Sequence, residues 1–259
     1  MPAPSREVPS VESWPAWVNN QVARQRKIAP GEGVHRLFNG QTRSGKTTLN
    51  KILLRMKKTT LVLGTKPKHD AALERYVSEE GFVRIDHWPP TTKELKQRGQ
   101  YEQVKLLLWP KVKEYAQLRG FAPLFRRALQ DVQIDGNWTV SIDEGLWVCA
   151  RKGLDLGDVV SEIAIGGAGN GLSLHVLVQR PRNIDPIIYS SCHEGYLFKA
   201  GNENDLRELA SYTSYSSRDL ATAVKGLNLG NEERGHQFLY APLSGGSKWS
   251  VSEVPSDWA

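Results

Sequence analysis

The sequence predicts an α/β fold built on a mostly parallel central sheet, and three observations predict it. Short apolar, β-prone runs alternate with helix-length amphipathic stretches along most of the chain, the pattern of strand–helix–strand units. One of those runs, Val34 to Phe38, leads into Gly40-Gln41-Thr42-Arg43-Ser44-Gly45-Lys46-Thr47-Thr48, which fills every fixed position of the phosphate-binding pattern G-x-x-x-x-G-K-[ST]. Roughly a hundred residues later, Trp138 to Glu144 is an apolar strand ending in two adjacent carboxylates, the partner that a phosphate loop requires.

The chain starts with a Pro- and Ser-rich lead-in to about residue 10, followed by a helix from Val11 to Lys27. Trp14, Trp17, Val18 and Val22 lie on one side of that helix, and the Trp pair is expected to dock on the chain's own core rather than on a neighbouring subunit. Arg24, Arg26 and Lys27 stand near its C-terminus, where the helix dipole favours cations. Pro30-Gly31-Glu32-Gly33 turns the chain into the loop strand. After the loop, Leu49, Ile52, Leu53 and Met56 form one helical stripe.

Thr59 to Thr65 is a continuous β-branched and aliphatic run, as in a strand buried on both faces, and Lys66-Pro67-Lys68 ends it. A helix from His69 to Glu80, a strand from Phe82 to His87, a polar helix from Thr92 to Arg98 and a strand from Val104 to Trp109 follow. A longer helical stretch from Lys111 to Asp131 is interrupted near Gly120 and Pro123. Beyond the carboxylate strand come a helix from Leu156 to Ile165, a glycine-rich turn over residues 166–171 and a strand from Leu172 to Val178 with Gln179 at its tip. That glycine run precedes its strand, whereas a dinucleotide fingerprint follows one. A strand from Glu194 to Lys199, helices from Glu203 to Ser211 and Ser217 to Gly226, and a closing hairpin of Gln237 to Leu243 and Ser247 to Val254 around Ser244-Gly245-Gly246 complete the chain.

Composition bounds the rest. At 259 residues the chain suits one large α/β domain, read as an arm and helix over residues 1–30 and a phosphate-loop domain with C-terminal helices and hairpin over residues 31–259. No apolar run reaches membrane-spanning length and the start lacks the plan of a signal peptide, so a cytoplasmic location is expected. Cys149 and Cys192 read as free or buried thiols, and the six histidines show no zinc spacing. The net charge of +6 is uneven: residues 1–58 carry eleven lysines and arginines against three glutamates. That asymmetry favours a polyanionic partner, although a solvated basic face would give the same count.

The motifs carry a definite chemistry. The two loop glycines let backbone N–H groups turn inward, and the following helix adds its N-terminal partial charge, so Gly40, Thr42, Arg43, Ser44, Gly45, Lys46, Thr47 and Thr48 are the expected polyphosphate site. Lys46 would reach the β/γ-phosphates of ATP, and the Thr47 hydroxyl would ligate Mg²⁺. Asp143 would hold the magnesium water shell and Glu144 would deprotonate the attacking water. Gln179, at the tip of a buried strand, could bond both the water and the γ-phosphate, or be a solvated polar end.

In this order of parts the chain resembles the FtsK–HerA superfamily of DNA-pumping ATPases over most of residues 34–212. Leu177-Val178-Gln179-Arg180-Pro181 looks like the family's strand-end "TQRP" or "SQRP" signature, and Lys66-Pro67-Lys68 is placed like its "DPK" segment, with Thr65 where the Asp stands. The resemblance implies a P-loop NTPase of the ASCE type: a RecA-like three-layer sandwich of core order 5-1-4-3-2. It also implies a homo-oligomeric ring, hexamer or pentamer, that drives double-stranded DNA through its pore. Lys46, Glu144 and Gln179 take the catalytic roles in such a ring, with Gln179 as the γ-phosphate sensor, and Thr47 and Asp143 serve Mg²⁺. Relatives contribute an arginine from a turn like "REGRKYG" to the neighbour's ATP site. Here that turn is Ile165-Gly166-Gly167-Ala168-Gly169-Asn170-Gly171, so the finger is absent or supplied by Arg126, Arg127, Arg151 or Arg182.

No stretch of the sequence reads as the membrane anchor or winged domain of the chromosome pumps, so neither is expected. By size and architecture the chain is similar to viral genome-packaging ATPases, which implies capsid or portal-vertex partners and a place in the host cytoplasm or at the virion's packaging vertex. A cellular or plasmid DNA-transfer ATPase of the same superfamily is the alternative reading, followed by a small-molecule P-loop kinase. Nothing marks the acceptor pocket and lid that a kinase needs.

Overall fold

The computed structural model describes residues 9–67, 70–96, 103–200, 202–213, 215–230, 235–243 and 248–256. The first elements are β1 (Ser10–Val11), α1 (Trp14–Lys27), β2 (Arg36–Asn39), α2 (Lys46–Arg55), β3 (Thr59–Leu63), α3 (Ala71–Ser78) and β4 (Val83–Ile85). They are followed by α4 (Thr92–Lys96), β5 (Val104–Leu108), α5 (Tyr115–Leu118), α6 (Ala122–Asp135), β6 (Thr139–Ile142), α7 (Gly145–Cys149) and α8 (Gly157–Gly166). The chain closes with β7 (Ser173–Val178), α9 (Pro186–Ser190), β8 (Glu194–Phe198), α10 (Glu203–Ala210), α11 (Ser217–Gly226), β9 (His236–Pro242) and β10 (Ser250–Val254).

The ten strands of the described residues join one sheet in the order β1-β10-β9-β8-β2-β7-β6-β3-β5-β4. From β8 to β4 every neighbouring pair is parallel. The closing hairpin adds β9 antiparallel to β8 and β10 antiparallel to β9, and β1 then lies parallel to β10. The sheet is therefore mixed but mostly parallel, and parallel strands need crossovers that cover both of its faces.

Side-chain alternation shows how each face is filled. Leu37, Val140, Val176 and Leu197 point to a large core shared with Phe125 and Leu129 of α6, Val160 of α8 and Leu206 of α10. Their chain neighbours Phe38, Leu177 and Tyr196 point the other way, onto Trp17 of α1 and Leu49 and Leu53 of α2. Farther along that second face, Val62 and Leu107 meet Leu73 and Tyr76 of α3. A period of two thus feeds two helical layers from every central strand.

Differences from the sequence expectation have local causes. Helix α1 begins at Trp14 rather than Val11, because Pro15 fits only a first turn and Val11 is taken by β1. Trp17 is buried against Tyr196 and Phe238 while Trp14 stacks on it, so the pair serves the chain's own core. The break expected near Gly120 is a 3₁₀ turn, Arg119–Phe121, between α5 and α6. His69 and Arg98, the expected limits of two helices, and the hairpin tip Ser244-Gly245-Gly246 lie outside the described residues. Among the described residues no helix is long and apolar enough to cross a membrane, and both cysteines are free.

Candidate active site

Strand register decides what meets at the C-terminal edge of the sheet. Asn39, the last residue of β2, pairs with Val178 of β7 and with Leu197 of β8. One strand further, Ile142 of β6 pairs with Val176 of β7 and with Leu63 of β3. The loop after β2, the carboxylates after β6, Gln179 after β7 and Lys66 after β3 therefore leave the sheet at about one level. The loop is pinned at its start, where the Gly40 N–H donates to the Val178 carbonyl at 3.2 Å and the Gln41 N–H to the Lys199 carbonyl at 3.2 Å.

The loop's conformation explains its glycines. Gly40 has φ 158 and a Cβ there would stand 2.6 Å from Phe198 Cβ; Gly45 has φ 96, and a Cβ there would stand 2.6 Å from His236 Cβ. Arg43 adopts φ 61, a left-handed conformation unfavourable for a side-chain-bearing residue and concentrated at ligand-holding turns. Lys46 opens α2, and its buried ammonium donates to the carbonyls of Gly40 and Gln41, each at 2.7 Å. Burial lowers its pKa to about 8, opposed by the charges of Asp143 and Glu144.

One cavity of about 400 Å³ gathers these parts: its lining includes Thr42 to Thr48, Lys66, Asp143, Glu144, Gln179 and His236. Gly40 stands behind the lining and contributes its carbonyl to Lys46. The Thr47 hydroxyl donates to Asp143 Oδ1 at 2.8 Å, while Asp143 Oδ2 takes the Lys66 ammonium at 3.0 Å. Burial, then the adjacent Asp143 charge, raises the Glu144 pKa above its ordinary value. Burial alone would lower Lys66, but Asp143 and Asp70 outweigh it and hold the ammonium protonated above the usual lysine range.

The donor set fits the groups that the motifs imply. A positive-φ loop, the helix N-terminus of α2, the buried Ser44 hydroxyl with no protein partner and the Lys46 ammonium suit a polyphosphate. A hydroxyl and a carboxylate side by side are hard oxygen donors of the kind Mg²⁺ takes while sharing phosphate oxygens and water. Among the described residues no cluster of three His, Cys, Asp or Glu forms an all-protein cation cage.

Of the four expected arginines, Arg126, Arg127 and Arg151 do not line this cavity. Arg126 makes a bidentate ion pair with Asp158 at 2.6 and 2.9 Å. Arg127 faces solvent, 3.8 Å from Asp131, and Arg151 is exposed in the turn after α7. The Arg182 side chain lies outside the described residues.

Sequence reasoning missed Lys66 and His236 as cavity residues. For Lys66 the available signal was a charged residue ending a buried strand; its side-chain neighbour Asp143 follows from β3 pairing with β6. For His236 there was none, because the hairpin's landing beside the loop is a tertiary fact.

No protein-family model matches the chain, and no curated protein does. Solved structures do. The DNA-packaging ATPase B204 of Sulfolobus turreted icosahedral virus superposes with a TM-score of 0.59 at 18% identity, covering 87% of this chain and 99% of that one. The genome packaging NTPase B204 of Sulfolobus turreted icosahedral virus 2, in complex with AMPPCP, gives 0.55 at 16% identity over 88% of this chain and all of that one. The cytoplasmic domain of the Thermomonospora curvata type VII secretion ATPase EccC gives 0.54 at 14% identity, covering 87% of this chain and 26% of that one. The chain thus has the P-loop ATPase fold that two viral genome-packaging enzymes share with a module of a secretion ATPase.

Proposed function

We propose that the protein is an ATPase that translocates double-stranded DNA, as the packaging motor of a virus does. The observation that carries this reading is the convergence of Lys46, Thr47, Asp143, Glu144 and Gln179 on one cavity at the end of a parallel sheet. The sheet supports it further. With the outer strands β4 and β5 left out of the count, β8-β2-β7-β6-β3 reads as 5-1-4-3-2, the order expected of a RecA-like ASCE ATPase. The reading takes its cargo from the two packaging enzymes, whose fold matches 87–88% of this chain.

In this reading the inward N–H groups of the loop and the Lys46 ammonium bind the phosphates of ATP. Thr47 and Asp143 would hold Mg²⁺, which when bound neutralises charge on the phosphate oxygens. Glu144 takes the proton of the attacking water; its raised pKa brings it closer to the operating pH, where a general base is more effective. The Gln179 amide, exposed at the tip of β7, orients that water. Subunits assemble as a hexameric or pentameric ring. A trans arginine is drawn from the exposed Arg127 or Arg151 more readily than from Arg126, which Asp158 already engages.

The test is ATP hydrolysis by the full chain with and without linear duplex, alongside oligomer mass in ATP. The reading expects stimulation by duplex and a mass of five or six subunits. Hydrolysis indifferent to DNA of any length would overturn the translocase, and no hydrolysis at all would overturn the ATPase.

A further inference from the structure

We infer that Lys66 is a phosphate-sensing positioning residue, whose ammonium exchanges Asp143 for the terminal phosphate of a bound nucleoside triphosphate. The inference rests on the phosphate-site reading above and adds to it a residue outside both the loop and the carboxylate pair.

Three contacts make the argument. Asp143 divides its carboxylate: Oδ1 accepts the Thr47 hydroxyl at 2.8 Å and Oδ2 pairs with Lys66 at 3.0 Å. The ammonium is also held from the other side by Asp70 Oδ2 at 3.3 Å. Asp70 is itself fixed, because its Oδ1 caps α3 by accepting the Leu73 N–H at 3.0 Å. Lys66 thus has a stationary anchor in Asp70 and a second partner in Asp143 whose oxygens have another use.

The chemistry of exchange follows. A magnesium ion held by Thr47 and Asp143 would compete with the ammonium for one carboxylate, and two cations beside each other repel. A terminal phosphate carries the negative charge that removes the conflict. Lys66 lines the same cavity as Lys46 and Glu144, and its four-carbon stem lets the ammonium swing while Asp70 keeps it near. A diphosphate lacks the group that would receive it. The side chain therefore discriminates triphosphate from diphosphate, and it frees Asp143 when the terminal phosphate is in place.

Calorimetric titration of the full chain with AMPPCP and with ADP, each in Mg²⁺, tests this without turnover. Lys66→Met should weaken AMPPCP by about tenfold, the scale of one lost charge-assisted hydrogen bond, and leave ADP unchanged. Lys66→Arg should restore much of the preference, and Asp70→Asn should lower it by loosening the anchor. Equal effects of Lys66→Met on both nucleotides, or none on either, would overturn the inference while leaving the phosphate site standing. A wild-type chain that binds neither nucleotide would bring down the site and the inference together. Thermal unfolding of each variant guards against loss of fold, and Lys66, a quarter exposed, packs no core.

Discussion

Replacing Glu144 with Gln keeps the side chain's size and removes its capacity to take a proton. The expected result is a fall in hydrolysis of about 10²- to 10⁴-fold with nucleotide affinity preserved, read by steady-state turnover beside equilibrium binding. Unchanged turnover would move the base elsewhere. At this scale the sequence was most legible where backbone geometry restricts the residue type. Gly45 at φ 96 and Lys46 at the mouth of α2 leave few substitutes, so the loop could be read without a fold. Lys66 was opaque for the opposite reason. Its meaning comes from Asp143, a residue 77 positions away that only strand pairing brings to 3.0 Å.

At the scale of elements, the starts of β2, β7 and β8 carry a buried polar seam that the sequence did not announce. The His35 N–H donates to His193 Nδ1 at 3.1 Å, and the Leu174 N–H donates to His35 Nδ1 at 3.0 Å. Both rings must keep an unprotonated nitrogen to accept these bonds. On β7, His175 lies between Arg36 at 3.1 Å and Asn50 of α2 at 2.8 Å, and Asn50 donates in turn to Ser141 of β6 at 2.8 Å. Burial, then the neighbouring His193, lowers the His35 pKa to about 4, and burial with Arg36 pushes His175 well below its ordinary value. The unfolded chain takes up protons near pH 6.5 and the folded chain resists them. Stability is therefore full above pH 6.5 and declines as the pH falls toward 4. Between pH 7 and 5 His35 alone should cost about 2 kcal/mol, visible as a lower urea midpoint at pH 5. A midpoint that holds or rises over that interval would refute the assignment. Strands and helices themselves were mostly legible from periodicity. The short α7 and α9 were not, since five residues hold too little pattern to register a period.

For the whole molecule, the basic first fifth of the chain matters to DNA only where its charge reaches solvent. Arg36 is buried on Glu194 at 2.7 Å, Lys46 faces the cavity and Arg55 is paired with Glu80 at 2.6 Å. Duplex affinity should fall steeply with salt, but with a log–log slope well short of the eleven cations of residues 1–58. Fluorescence anisotropy across a salt series measures it, and a flat response would exclude a phosphate-tracking surface. The fold class was legible from alternation of strand and helix patterns, whereas strand neighbours were not. Nothing in the run Phe82 to His87 says that β4 ends as an outer strand beside β5, or that β9 lies antiparallel on β8. The hairpin's position has a practical consequence. His236 presses on the turn that Gly45 makes, so Gly45→Ala would drive a methyl group into an imidazole before any phosphate is involved. A shortened protein trimmed ahead of residue 236 would strip that buttress away, and its silence toward ATP would report a sagging cradle rather than a dispensable tail.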